Sequence, residues 1–520
     1  MVSTDAPGAG AGLCLAPVER SRFLLLGLIL LLAAALRLAH LDSQGLWFDE
    51  LCSLSSANGW GLMLPVVPGW GVVRDEPKYS QWRDARPLRC VVPAVAASDD
   101  HPPLYFLLLR ATEAIAGDGE VALRIPSVVA SLAAIALLYA VARQRHDAAT
   151  ALAACAVMAV AGPQIEFAQQ ARQYVFLVLL SIAIVWALLR VQRSGGTLLA
   201  AMALAAAALA GMLTHYLAVA ACVAAGAYAL LELRGRSRVA ALAALGVAGL
   251  AFCLMWGPMV VRQLPTMAIG HAWMVDNQPG RLWRLGRSMF ELPVRFLIEP
   301  DFSAASHRLL LMGGLLWLAL PAALWRADTR LWAMWLIAAV GVTAASDCFQ
   351  HTTQMSLVRF TIGATPPFYL LLASTLRGRL RWLPAGAAVL LAATNVSMAY
   401  DPPWKNDLRA AGLGWNRDLS PDDAIVFVSP DANGRRTSQW LHQYEHFLTT
   451  SPKVIALLHD PADPATLKEL GACREVWVAW AMQDRTPQMV LRGFKIKDGR
   501  PLPPSMELYE GTIVPTATQP

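Results

Sequence analysis

Two acidic clusters in this chain have the residue types and spacing to do chemistry. The first is Trp47-Phe48-Asp49-Glu50, and the second is Asp99-Asp100-His101-Pro102-Pro103-Leu104-Tyr105. A carboxylate can take the proton from a reacting hydroxyl. Carboxylates beside an imidazole can also hold a divalent ion. Each cluster has a plainer reading. Acidic residues at a helix start favour the dipole, and an Asp before a Pro-led helix caps it. Capping accounts for Asp99 or Asp100 but leaves His101 without a purpose.

A third polar stretch runs from Gly162 to Tyr174, GPQIEFAQQARQY. At helical spacing Glu166, Gln169, Gln170 and Gln173 fall on one face. Polar density of this kind at a membrane boundary points to a cavity lining. The planar guanidinium of Arg172 suits a phosphate; the competing expectation is a side chain snorkelling to headgroups. His215-Tyr216 and Arg359-Phe360, the latter followed by Pro366-Pro367, each open a later apolar segment.

The elements that must position these groups are membrane helices. Of 520 residues, 56% are hydrophobic and 15% charged, and mean hydropathy is +0.44, a composition outside the soluble range. The net charge of +6 comes from arginines in short loops, where they set topology and do not indicate a nucleic-acid partner. Apolar runs long enough to span fall at 23–40, 123–142, 147–163, 173–190, 197–213, 215–232, 239–261, 308–325, 330–346, 359–376 and 382–398. That predicts eleven spans. Arginine-bearing loops alternate along them, placing the segment 1–22 in the cytoplasm and loops 41–122 and 262–307 outside. The segment 102–116 is apolar but carries Arg110 and Glu113, so it is expected to lie in the outer interface. The run after Arg20 and Arg22 resembles a signal peptide but is too long, and no small-residue cleavage site follows; a retained helix is expected.

From residue 400 the pattern changes. Strand-length apolar runs at 424–429, 453–458 and 475–481 alternate with helical patterns at 434–449 and 464–472. This predicts a small α/β domain over 400–520 with a partly parallel sheet, outside the membrane. Among the eight cysteines no metal-ligand spacing occurs. Cys52 and Cys90 share the first outer loop and are candidates for a disulfide in an oxidising compartment.

In order along the chain stand LWFDE, DDHPPLYFLLLR, EVALRIPSVVASLAAIALLYAVARQ, GPQIEFAQQARQYVF, THY and a late VRF with prolines. This order resembles the membrane glycosyltransferases of the GT-C fold, specifically the glycosyltransferase 39 group of protein O-mannosyltransferases and lipid A aminoarabinose transferases. The likeness covers residues 20 to about 400 and is best over 46–175. Two departures stand out. Gln170 occupies a position where the family pattern has a carboxylate, and Phe360 replaces the tyrosine of a late Arg-Tyr pair.

The resemblance implies transfer of a sugar from a polyprenyl-phosphate donor to a hydroxyl of a lipid, glycan or protein, at the outer face of the cytoplasmic membrane. Asp49 is then the candidate general base, and Glu50 orients the acceptor or tunes Asp49. Arg172 and Arg359 are candidate phosphate clamps. Asp100 and His101 are expected to hold the acceptor or a divalent ion. Glu166, Gln170, Tyr174 and His215 complete the expected binding residues. A transporter or flippase of a lipid-linked sugar is the main alternative. It requires charged groups near the bilayer midplane, whereas the acidic residues here gather at one surface. An assembly protein working through its C-terminal domain leaves the outer clusters without a purpose.

Overall fold

The computed structural model describes residues 17–61, 71–73, 84–298, 317, 321, 324–374, 383–394, 396, 400, 417–428, 453–458, 461–481, 491, 494–501 and 508–515. The span expected at 308–325 lies mostly outside the described residues, and the helix expected at 434–449 lies wholly outside them.

The first helix, α1 (Pro17–Leu38), is followed by two short helices of the first loop, α2 (Phe48–Ala57) and α3 (Val91–Ser98). The segment expected in the interface forms α4 (Leu104–Ala116), which buries Tyr105, Phe106 and Leu109 and exposes Leu104, Leu108 and Ile115, a two-sided pattern compatible with that expectation. The bundle continues through α5 (Glu120–Ala142), α6 (Ala148–Val160), α7 (Gly162–Glu166), α8 (Tyr174–Arg193), α9 (Leu198–Thr214), α10 (Val219–Glu232) and α11 (Gly235–His271). Further on come α12 (Arg281–Arg295), α13 (Arg330–Gln350), α14 (Val358–Thr361), α15 (Thr365–Ser374) and α16 (Leu383–Thr394).

Five described helices are long and apolar enough to cross a membrane, six if the pair around Ala161, bent by 67°, forms one broken span. Helices α9 and the Tyr216–Glu232 stretch are shorter apolar candidates. The chain is a multi-pass membrane protein. Its core is a seam of alanine, leucine and valine joining α5, α6, α8, α9, α10, α13 and α15. Small residues there let helix backbones approach closely.

Helix α11 runs ten residues past the span expected at 239–261 and has 37 residues, about 55 Å at 1.5 Å per residue. That exceeds a hydrocarbon core of roughly 30 Å, so one end projects and carries Gln263 and His271 to the first loop. At the opposite end of the bundle, Arg145 bonds Gln192 and Tyr228, and Arg330 pairs with Glu232. The short basic loops therefore gather at one end and the acidic clusters at the other.

A six-stranded sheet has the order β1 (Gly71–Val73), β3 (Val454–Leu458), β2 (Ala424–Val428), β4 (Val476–Ala481), β6 (Leu508–Pro515), β5 (Phe494–Pro501). Strands β2, β3 and β4 pair in parallel where strands were expected, and the others are antiparallel. The helix expected at 464–472 is α17 (Pro464–Gly471), capped by Asp463. Strand β1 comes from the first loop: Gly71, Val72 and Val73 pair with Leu457, Ala456 and Ile455. Three residues of Gly-Val-Val carry too little pattern to be read as a strand. Cys52 and Cys90, the candidate pair of the first loop, are free thiols; Cys52 is buried in α2 and Cys90 packs near Gly59.

Candidate active site

Asp49 sits in the first turn of α2, with its side chain one-quarter exposed. Two guanidiniums reach it from distant elements. Arg359, on α14, places Nη1 3.4 Å from Asp49 Oδ2. Arg172, just before α8, donates from Nη1 to the Asp49 carbonyl at 3.1 Å and to Ser53 Oγ at 2.8 Å. Arg172 is 5% exposed, so it does not snorkel.

Contacts continue around a closed circuit. Arg172 lies over the Tyr174 ring at 5.5 Å, and Tyr174 meets His215 at 6.0 Å between centroids. His215 packs edge-on to His101 at 5.2 Å. His101 Nδ1 is 2.5 Å from Asp100 Oδ1, and Asp100 Oδ2 is 3.9 Å from His271 Nε2. His271 packs against Phe360, next to Arg359, whose guanidinium lies over Trp273. Six elements far apart in sequence therefore meet in one series of contacts.

Among the described residues, several buried polar atoms in and beside this circuit have no hydrogen-bond partner: Arg172 Nε, Arg359 Nε, His215 Nε2, His271 Nδ1 and, beside it, the Tyr105 hydroxyl. A buried unpaired donor is costly, so such a group calls for a polar partner such as a ligand or water. Gln263, projected by α11, donates to the Val95 and His101 carbonyls at 2.8 and 3.1 Å. It ties the second cluster to the bundle.

Glu50 does not face this space. It is 1% exposed and accepts from Arg124 Nε at 2.8 Å, Arg124 Nη2 at 2.7 Å and the Ala171 amide at 2.8 Å. The Trp47 amide donates to it as well, closing the N-terminal turn of α2. Arg124 also holds the carbonyls of Leu41, Gln44 and Gly45. Glu50 thus fixes the start of α2 against α5 and the approach to Arg172. The expectation that it orients the acceptor directly is corrected, because its oxygens are taken up by this clamp. Arg124 was missed in the sequence. An arginine inside an apolar span requires a partner, and that was the available signal.

The shared face expected for Glu166, Gln169, Gln170 and Gln173 does not form. The chain bends after α6, passes through a 3-10 turn and reaches Gln170 in extended conformation. Gln169 turns back to the Arg37 and Ala39 carbonyls at 3.1 and 2.5 Å. Gln170 donates to Glu166 at 3.1 Å, and neither side chain joins the circuit around Asp49 among the described contacts. His271 and Trp273 join the site without having been singled out for it.

Asp99, Asp100 and His101 offer three ligand atoms within 4.8 Å of one another. Burial opposes a charge on His101, but the Asp100 carboxylate and then hydrogen bonds to Asp100 and Asp99 raise its pKa to about 10. A metal requires the deprotonated imidazole. Asp99 is further committed to Ser56 at 2.6 Å and the His101 amide at 3.0 Å. In this arrangement His101 and Asp100 form an ion pair, and the three residues are also a donor set that could hold a divalent ion.

Residues 100–258 match the family described as dolichyl-phosphate-mannose-protein mannosyltransferase. The crystal structure of ArnT from Cupriavidus metallidurans in the apo state is similar to this chain with a TM-score of 0.55 at 12% identity, covering 96% of this chain and 98% of that one. The same protein bound to undecaprenyl phosphate gives 0.54 at 13% identity with the same coverage. No curated protein matches by sequence. The chain therefore has the GT-C membrane fold that it shares with ArnT, and the family match is confined to residues 100–258.

Proposed function

We propose that this protein is a membrane glycosyltransferase that moves a sugar from a polyprenyl-phosphate donor to a hydroxyl of a lipid, glycan or protein at the outer face of the cytoplasmic membrane. The observation that carries the reading is the pair of guanidiniums, Arg172 and Arg359, converging on Asp49 with a buried, unpartnered Nε each. An isolated acidic helix start has no need of two cations, one buried and one half-buried, from elements so distant in sequence.

In the proposed reaction Asp49 takes the acceptor proton as the acceptor oxygen bonds to sugar C1. The bond from C1 to the phosphate oxygen breaks, and the polyprenyl phosphate leaves with the electron pair. Arg172 and Arg359 meet the charge that develops there, in a site with little water. The 3.4 Å separation of Arg359 from Asp49 is longer than a strong charge-assisted bond, about 2.7–2.9 Å, so the guanidinium can swing to a phosphate at small cost. His101 and Asp100 face the same space and are placed to orient the acceptor.

Mass spectrometry of glycolipids and glycoproteins from cells with and without the protein tests this. A polyprenyl-phosphate sugar that accumulates with loss of a glycosylated product is the expected result. Unchanged profiles together with altered transbilayer distribution of the lipid-linked sugar favour the transporter alternative.

A further inference from the structure

A second polar cavity, of about 290 Å³, lies between α12 and residues 347–356. It adjoins the site around Asp49 through shared backbone. Val275 bridges to Thr352, and the Asp276 amide donates to the His351 carbonyl at 2.7 Å. The segments forming its wall thus begin three residues after Trp273 and end three residues before Arg359.

On α12, Arg281, Arg284, Ser288, Glu291 and Arg295 recur at alternating three- and four-residue steps and line the cavity, as one stripe of a helix does. The outward side exposes Leu282, Trp283 and Phe290 at 68%, 75% and 52%. A helix that is polar toward the protein and apolar outward is stable in the interface of a bilayer. That places the cavity at headgroup depth.

Among the described residues its charges do not cancel. Four arginines, the fourth being Arg287, face three carboxylates, those of Asp276, Glu291 and Asp347. Arg284 is taken up by Asp276 at 2.6 Å. Glu291 serves both Arg287, at 2.9 Å, and Arg295, at 2.7 Å. The Asp347 carboxylate is turned into its own loop, accepting from Thr352 Oγ1 and the Gln354 and Met355 amides at 2.7, 2.8 and 2.7 Å. Arg281 donates to the Asp347 carbonyl at 2.8 Å and makes no ion pair among the described residues. Most of its five N–H donors are uncommitted there.

We propose that this cavity binds the phosphate of an anionic lipid headgroup, with Arg281 as the principal donor and Arg287 in support. The proposal goes beyond the transfer reaction and does not depend on it. A guanidinium matches phosphate oxygens in pairs, and the apolar outer side of α12 would hold the acyl chains' neighbourhood beside it.

The test uses the full-length protein in nanodiscs of phosphatidylcholine containing a minor fraction of phosphatidic acid. Native mass spectrometry then reads the lipid retained after release. Wild type is expected to retain phosphatidic acid selectively. Arg281→Gln, and more so Arg281→Gln with Arg287→Gln, should cut retention by about tenfold or more, the scale of one charged hydrogen-bond donor. Arg281 touches one backbone carbonyl, so the single variant should melt with wild type; it remains informative if the double variant fails to fold. Arg172→Gln with Arg359→Gln should leave retention at this site unchanged, which separates failure here from failure of the transferase reading. Equal retention by wild type and Arg281→Gln overturns the proposal. Inorganic phosphate that raises the melting temperature of wild type but not of Arg281→Gln, with no preference among lipids, overturns the lipid assignment.

Discussion

Arg359 and Asp49, 310 positions apart in sequence, stand 3.4 Å from each other across the mouth of the bundle. Neither is placed by its own loop alone. Asp49 is held by the clamp between Glu50 and Arg124, and Arg359 by its packing over Trp273 and Phe360. The proposed chemistry rests on the stiffness of both supports.

Asp49→Asn keeps the shape of the side chain and removes the proton acceptor. General-base catalysis is worth roughly 10²–10⁴-fold, so transfer should fall by that order with the melting temperature unchanged. Wild-type turnover by the purified variant would move the base to another carboxylate of the loop.

Arg172→Gln and Arg359→Gln should each weaken binding of polyprenyl phosphate. Hydrogen bonds to charged groups contribute about 1.5–3 kcal/mol, which corresponds to roughly 10–150-fold in affinity. Arg172 should also show a stability loss, since it bonds the Asp49 carbonyl and Ser53; Arg359 should not. Titration of each variant with the lipid, alongside its melting curve, separates the two contributions. Undiminished affinity in both variants removes the phosphate clamp.

Glu50→Gln and Arg124→Ala should act on folding rather than on the chemical step. Removing one partner of a buried ion pair costs about 3–5 kcal/mol, and Arg124 additionally leaves three carbonyls unpaired. Lower yield and melting temperature are expected, with turnover per folded molecule reduced far less than in Asp49→Asn. A Glu50→Gln enzyme that melts normally yet fails to turn over would return Glu50 to the reaction itself.

The sheet carries a pH-sensitive anchor. Burial would raise the pKa of Asp423, but hydrogen bonds from Arg474 and the Ser420 amide outweigh it and hold the carboxylate below its ordinary value. A depressed folded pKa contributes stability in full above the unfolded value of about 3.9, and that contribution is lost as pH falls through the folded value. Hydrogen exchange of Ala424–Val428, corrected for intrinsic rates, should therefore accelerate below about pH 4 in wild type. Asp423→Asn should show weaker protection already at neutral pH and no such acid step.

How much of this was legible beforehand follows from the range of each interaction. Hydrophobic runs and alternating arginines are local signals set by bilayer thickness and charge. They disclosed the membrane class, α4 as a separate helix and the strands β2, β3 and β4. Asp49, Asp100, His101, Arg172, His215 and Arg359 could be picked out as polar groups at apolar boundaries. Partnership could not be read. The bond from Arg124 to Glu50 spans 74 positions, and the approach of His271 depends on α11 outrunning the membrane. The break after α6 overrode the helical spacing that placed Glu166 and Gln170 on one face with Gln173. Strand β1 has only three residues and exists because β3 presents an edge to it. The sequence by itself determined which side chains were available at the outer boundary. Only the tertiary structure decided which of them meet, because a buried polar group takes the partner that helix packing brings within reach.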